Sequence, residues 1–502
     1  MRDLLLGLDV GTTATKALLF DLAGTIVASA SRNYGLIMPQ EGWVEQDPEE
    51  LWRAVVETLR ALRQQIGPED RIVALSQSSQ AGTTIPIDAG GRPTYNAISW
   101  MDQRGVEQAR RVREQWGAEF IYRTTGWPLM NGLPLEHIAW LRDNRPAEFA
   151  ASRHICFVND FITYRLTGQF CMNPSDAGIT QLMNPATGDW DDRLLATAGV
   201  SRAQMSPMRP CGAAIGPLTP AAAEATGLPR DVLVVNGAHD QFCALTGAGV
   251  TRPGMVMLSC GTAWVILVIP ESLEAGLQSG MPISCHAVAG RYGAVRSMGG
   301  IGPSLEWLLE QIWGGGEAPE KREELYAAIN ASAASSEPGA RGLLFFPLAG
   351  GHAGSYGPSR GGFLGLSLSH TRGDLARAVM EGIAFELRWT LDEVQQAGVE
   401  VRELKMVGGA TRSPLWPQIV ADITGVPVAL PAITQAAGYG AAILAGVGAG
   451  LFAGPEAGRE AFRGTEARLE PEAANGRRYD ELFATYQELS RAIRKGLTRL
   501  GK

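Results

Sequence analysis

Runs of like charge are missing from this chain. Its 44 Lys and Arg are outnumbered by 52 Asp and Glu, giving a formal charge of −8. No Lys/Arg cluster forms the basic stripe that a phosphate-backbone surface needs, which excludes nucleic acid as the natural partner. Cysteine pairing is missing too. Cys156, Cys171, Cys211, Cys243, Cys260 and Cys285 form no CxxC motif, most lie in apolar runs as buried reduced thiols do, and the six histidines show no metal-ligand spacing. That usage points to the cytoplasm. Met1 to Leu8 has neither the length nor the cleavage pattern of a signal peptide. From Ile423 to Pro455 there is no charged residue, but Pro427 and Pro431 interrupt the stretch and the remainder is Ala/Gly-rich. A tightly packed buried helix is expected there, not a membrane span.

What is present is a fully globular composition, 45% apolar and 19% charged over 502 residues. At about 150 residues per domain, two large domains or three smaller ones are expected. The chain opens with short β runs at Leu4–Leu8, Thr15–Phe20 and Thr25–Ala30, joined by turn residues, which predicts a β-meander. Asp47-Pro48-Glu49-Glu50 then reads as a capped helix start, with Leu51, Val55, Leu59 and Leu62 as its apolar stripe. Further strands are expected at Ile72–Leu75 and Val232–Asn236, the latter leading through Gly237-Ala238-His239 into a helix from Asp240. Near Gly247–Gly254 the pattern restarts, with strands at Met255–Leu258 and Trp264–Ile269. A boundary there predicts domains over 1–250 and 251–502. Helices are expected from Asp374 to Gln396 and from Ser413, a strand at Leu404–Val407, a loop over Ser332–Gly339, and a solvent-facing helix over the last 25 or so residues.

Two loops stand out. Leu8-Asp9-Val10-Gly11-Thr12-Thr13 and Leu258-Ser259-Cys260-Gly261-Thr262-Ala263 each end one apolar strand and open the next. A Gly that lets the backbone approach an anion, followed by a Thr offering hydroxyl and N–H, suits a phosphate. Beside a phosphate, the Asp9 carboxylate implies an intervening Mg²⁺, and Lys16 supplies a point charge. An ordinary polar hairpin would need none of this, but two copies plus Lys16 favour the phosphate reading. Gly408-Gly409-Ala410 between strand and helix leaves room for a flat adenosine, with an ordinary turn as the even alternative. Asp240 is either a helix N-cap or a carboxylate that takes a hydroxyl proton during phosphoryl transfer. Trp100-x-Asp102-x-Arg104 puts an aromatic beside a charge pair at strand spacing, its bland version being a core Trp with a surface salt bridge. The polar run Ser76-Gln77-Ser78-Ser79-Gln80 is either a loop or a contact for a polyhydroxylated ligand.

Several of these motifs together resemble the FGGY family of carbohydrate kinases, within the actin, hexokinase and chaperone-ATPase superfamily. Besides both loops, Gly42-Trp43-Val44-Glu45-Gln46-Asp47-Pro48, the Trp100 motif, Asp240-Gln241, Gly408-Gly409-Ala410 and the Gly361–Leu366, Asp374-Leu375 and Glu381 signature carry the likeness. It implies an α/β fold of two duplicated ribonuclease H-like, actin-like ATPase domains, with mixed sheets flanked by helices and nucleotide and sugar bound in the cleft between them. The N-terminal domain would bind sugar and the C-terminal one nucleotide. ATP and Mg²⁺ are the implied cofactors. Asp240 would be the general base and Asp9 would serve the metal shell. Gly11, Thr12, Thr13, Lys16, Gly261 and Thr262 would meet phosphates, with Gly302, Gly408 and Gly409 around ADP. Ser79, Gln80, Trp100, Asp102, His239 and Gln241 would line the sugar.

The expected activity is ATP-dependent phosphorylation of a terminal hydroxyl of a small sugar, a ketopentose such as xylulose. A glycerol or tetritol kinase is the alternative, favoured by Gln241, and a non-sugar ATPase switch is the distant one. No membrane partner is expected, and a homodimer is frequent in the resembling family. Departures from family patterns fall mainly on the acceptor side: Ser79-Gln80, His239, His137 in place of a Lys, and Gln435 in place of a Glu.

Overall fold

The computed structural model describes residues 2–314, 319–352, 360–433, 435–462 and 464–500. They form two compact α/β units. The first comprises Met1–Thr251, Ser272–Ala294 and Gln435–Gly464, the second Arg252–Glu271, Val295–Thr434 and Thr465–Lys502.

In the first unit six strands share a sheet in the order Ala214–Pro217, Leu233–His239, Asp70–Ser79, Arg2–Val10, Ala14–Asp21, Ile26–Asn33. The near-continuous apolar run of Arg2–Val10 follows from burial on both faces. On one face Leu4, Leu6 and Leu8 pack with Leu51, Val55, Leu59 and Leu62 of the helix Pro48–Arg63. That helix starts where expected: the Asp47 side chain accepts the Glu49 N–H at 2.9 Å, and Pro48 takes the first turn. On the other face Leu5, Leu18 and Phe20 meet Ala442, Ile443 and Ala445 of the helix Ala436–Gly448.

The uncharged stretch is thus the expected buried helix, and among the described residues no helix is long and apolar enough to cross a membrane. The compact units are not continuous in sequence, because Ser272–Ala294 and Gln435–Gly464 pack with the first unit. Close approach is the physical reason. A Cβ on Gly440 would lie 1.9 Å from the Cys243 carbonyl oxygen, and one on Gly7 would lie 2.1 Å from that of Gly438. Small residues let the helix seat directly on this sheet and on the helix Asp240–Ala248.

The second unit carries strands in the order Trp264–Val268, Gly254–Cys260, Val401–Gly408, Val428–Pro431, Glu466–Leu469. The helix Arg372–Gln396 begins in a capping box, with the Thr371 N–H donating to Asp374 Oδ2 at 2.8 Å. Three local expectations change. The strand before Asp240 continues to His239, since Ala238 and His239 still pair with Ser78 and Ser79. The helix Pro319–Ala334 absorbs the start of the expected Ser332–Gly339 loop. The terminal helix Ala473–Leu500 is not simply solvent-facing: Tyr479 and Tyr486 are fully buried, and Tyr479 Oη donates to Glu381 Oε1 at 2.7 Å. Glu381 also receives Arg377 Nε at 2.7 Å, so this signature carboxylate ties two helices together.

Candidate active site

In both units several of the residues singled out by sequence, Asp9, Ser79 and His239 in the first and Gly261 and Gly408 in the second, lie at or next to the C-terminal ends of neighbouring parallel strands, where open α/β sheets place their ligands. In the first unit Asp9 is in register with Ser78, and Val10 and His239 each with Ser79, while Asp240 opens the helix that follows His239. His239, not Asp240, occupies the N-cap position, which removes the capping role as the reason for the carboxylate. Asp240 stays partly exposed, at 38% of its side chain.

Burial pushes the Asp9 carboxyl up to about 6, and the nearby Asp240 charge adds to this; Ser78 Oγ, donating at 2.9 Å, and Lys16 work in the opposite direction. A buried Asp9 carboxylate whose ionisation a neighbouring negative charge disfavours is a hard oxygen donor short of positive charge, which fits a divalent cation such as Mg²⁺. Among the described residues no group of three or more His, Cys, Asp or Glu could hold a metal by itself. Mg²⁺ would accordingly rely on Asp9, water and a ligand's phosphates.

The Gly-Thr loop is held from behind. Gln46 Nε2 donates to the Thr12 carbonyl at 2.8 Å, Gln80 Nε2 to Gln46 Oε1 at 3.0 Å, and Thr83 Oγ to Gln80 Oε1 at 3.3 Å. Tyr34 Oη donates to the Gly11 carbonyl, the Tyr34 N–H to that of Thr13 at 2.9 Å, and Trp100 Nε1 to Thr12 Oγ at 3.1 Å.

The Trp100 motif inverts its bland reading. Trp100 is 43% exposed and follows the short strand Ala97–Ile98, whereas the Asp102–Arg104 pair is entirely enclosed. Arg104 bonds both Asp102 oxygens at 2.8 Å, reaches Glu45 at 2.8 Å, and lies 3.9 Å over the Trp43 ring. The Val44 N–H takes the remaining approach to Asp102 Oδ2 at 2.6 Å. Asp102 therefore does not line the acceptor surface as expected; it fixes the turn that presents Trp100. The Gly-Trp-Val-Glu-Gln run supplies its clamp, residue by residue.

The other expected acceptor residues divide by depth. Ser79, Gln80 and His239 are buried and engaged beneath the surface, while Trp100, Asp240 and Gln241 remain accessible. Gln241 Oε1 has no hydrogen-bond partner. Ser79 Oγ donates to Asp176 Oδ1 at 3.1 Å, and Asn173 Nδ2 to Asp176 Oδ2 at 2.8 Å. Asp176 was not singled out by sequence. Burial pushes its carboxyl up to about 7, with the His239 charge opposing. Only the Asn173-Pro174 helix-start signal marks its position, and that signal says nothing of its neighbours. His137 is fully buried with Nδ1 3.4 Å from Thr84 Oγ, and Gln435 precedes the helix Ala436–Gly448 without capping it.

In the second unit Gly261, Thr262, Gly302, Gly408 and Gly409 come together. Cys260 pairs with Gly408, which holds φ +102°, and a Cβ there would lie 2.6 Å from the Cys260 carbonyl oxygen. The Gly302 N–H donates to the Thr262 carbonyl at 3.1 Å, and a Cβ on Gly302 would meet Gly261 O at 2.7 Å. Main chain crowds these strand ends, leaving N–H groups and no bulk. Ser413 then closes the turn, its Oγ accepting the Trp416 N–H at 3.0 Å ahead of the helix Trp416–Thr424.

Comparison with known proteins gives one consistent picture. Residues 4–247 match the N-terminal domain of the FGGY family of carbohydrate kinases, and residues 256–449 its C-terminal domain. A xylulose kinase of Staphylococcus epidermidis is 30% identical over 492 residues, 97% of each chain. A gluconokinase of Bacillus subtilis is 29% identical over 511 residues, covering 100% of this chain and 98% of its own. The crystal structure of xylulose kinase from Rhodospirillum rubrum superposes with a TM-score of 0.87 at 30% identity, over 99% of this chain and 100% of that one.

Proposed function

The chain belongs to the FGGY family of carbohydrate kinases and is a sugar kinase, and on that premise we propose that it transfers the γ-phosphoryl group of ATP to a terminal hydroxyl of a small ketose of the xylulose type. Kinases of this family use ATP as phosphate donor. The observation that carries the reading is Asp240, a partly exposed carboxylate held at a strand end beside Asp9 and His239. Asp240 takes the acceptor's proton as its oxygen attacks phosphorus; the new O–P bond forms while the bond to the bridging oxygen breaks, and ADP leaves. Glycine-rich strand ends in the second unit offer N–H donors and clearance for the nucleotide, while Thr12, Thr13 and Lys16 offer phosphate contacts in the first. Mg²⁺, held by Asp9 through water, would neutralise phosphate charge.

A neutral acceptor is supported by the lining itself. Among the accessible residues Trp100, Asp240 and Gln241 there is no Lys or Arg to receive an aldonate carboxylate, and Arg104 is enclosed. Gluconate is the second reading, because gluconokinases also align over the full chain; glycerol and tetritols come next. The six cysteines, none of them disulfide-bonded, are compatible with a cytoplasmic setting. A coupled ADP-release assay over ketopentoses, pentitols, tetritols, glycerol and gluconate decides among these. The expected result is a highest kcat/KM for a ketopentose, and a higher value for gluconate would replace this reading.

A further inference from the structure

His239 does not face the acceptor surface. It is 5% exposed, and its Nε2 lies 3.1 Å from Asp240 Oδ1. A bare ring nitrogen and a carboxylate oxygen at that separation would set lone pair against lone pair, so the nitrogen facing Asp240 is the protonated one. Nδ1, on the other side of the ring, is buried and meets no hydrogen-bond partner, as suits an unprotonated nitrogen. The ring has little freedom. The His239 backbone N–H donates to Ser175 Oγ at 3.0 Å, strand pairing with Ser79 fixes the backbone, and Phe242 packs edge-on with ring centroids 5.5 Å apart.

We propose that His239 is a positioning residue for Asp240, its Nε2–H holding Oδ1 so that Oδ2 is the oxygen that receives the acceptor's proton. This rests on the reading of Asp240 as general base. A carboxylate with one oxygen anchored loses most of its rotational freedom, and general-base efficiency depends on that alignment. The groups facing the pair are Asp9 from the strand Arg2–Val10, Asp176 from the turn behind, and the thiol of Cys243 one turn along the helix. Asp240 and Asp176 hold the imidazole above its ordinary range despite burial. A charged imidazole weakens Asp240 as a base, so turnover falls on the acid side as His239 takes its second proton.

Two measurements test this. Nitrogen-15 NMR of the histidine-labelled protein should show Nε2 protonated and Nδ1 bare on the alkaline side of the imidazole titration, and the imidazole pKa should drop in Asp240→Asn. His239→Ala should lower kcat by roughly ten- to a hundredfold, the scale of a small misplacement at a reacting centre. The acceptor KM should stay within about threefold, because uniform binding is untouched. His239→Gln, whose amide N–H can still reach Oδ1, should recover most of kcat and lose the acid-side dependence. An acceptor KM that rises while kcat holds would make His239 a sugar contact and overturn the proposal, as would an imidazole pKa unchanged by Asp240→Asn. Should His239→Ala not fold, His239→Gln and the NMR titration decide alone. Full turnover by Asp240→Asn would instead sink the general-base reading, while the NMR still reports whether the two side chains are bonded.

Discussion

The two Gly-Thr loops each close a hairpin, over residues 11–14 in the first unit and the shorter 261–263 in the second, and differ still more in what surrounds them. In the first unit the Gly11 N–H closes onto the Ala14 carbonyl at 3.0 Å; in the second the Gly261 N–H closes onto that of Ala263 at 3.2 Å. Around the first stand Asp9, Lys16, Ser78, His239 and Asp240. Around the second the corresponding strand positions are Ser259 and Val265, and the adjoining strand ends in Gly408-Gly409. On the proposed function, one hairpin is surrounded by groups that would hold and move protons, and the other by main chain with little side-chain bulk, against which a flat, charged ligand would lie. Both loops would then meet phosphate, and what surrounds each would set the step that its unit serves.

If that division is right, substitutions in the two units should fail in different ways. Asp240→Asn should lower kcat by about 10²- to 10⁴-fold, the usual contribution of a general base, with nucleotide affinity kept within a few-fold. Steady-state kinetics alongside calorimetric titration with Mg-ADP would check it, and parallel loss of both would break the comparison. Gly408→Ala should do the reverse. A side chain at φ +102° pressed against Cys260 O costs about 1–3 kcal/mol of strain, so nucleotide Kd should rise several-fold or more while acceptor binding is unchanged. Gly440→Ala provides a control away from both loops, because its methyl would enter the Cys243 backbone. Overpacking of that kind costs about 1–3 kcal/mol and should appear as a lower urea midpoint.

The first unit also concentrates buried carboxylates, with a consequence for pH. Burial pushes Asp160 up to about 7, against an unfolded value near 3.8. The folded state therefore holds this proton more tightly, and the associated stability is fully present below the unfolded pKa and lost as pH rises through about 7. Asp160→Asn keeps the shape and cannot titrate, so the decline of Tm between pH 4 and pH 8 should be shallower than in the parent chain. An identical slope would show that Asp160 is ionised throughout. The smallest effect is expected from Trp100→Phe, which removes the indole N–H from Thr12 Oγ. Loss of one such bond is worth about 0.5–1.5 kcal/mol, so kcat/KM should fall between about twofold and tenfold.

Local rules made much of this legible beforehand. The Asp47-Pro48 helix start, the meander, the long helix behind Thr371 and both Gly-Thr loops follow from turn chemistry and apolar spacing within a few residues of themselves. Burial is less local. The Asp102–Arg104 pair reads as a surface salt bridge because Trp43, Glu45 and Trp140, which enclose it, come from elsewhere in the chain. Asp176 goes unremarked because Ser79, which it bonds, lies 97 positions away. His239 is easily noticed, yet only the folded geometry shows its Nε2 3.1 Å from Asp240 Oδ1.

The helix Ala436–Gly448 bears on how this protein is made. Leu5, Leu18, Phe20, Ala74 and Val235, all from the first half of the chain, share a core cluster with Ala442, Ile443, Ala445 and Phe462. A ribosome working from the N-terminus releases the sheet long before the helix that covers it. During that interval one apolar face of the sheet waits open to water and to chaperones, and a nascent chain stopped near residue 250 has no means of closing it.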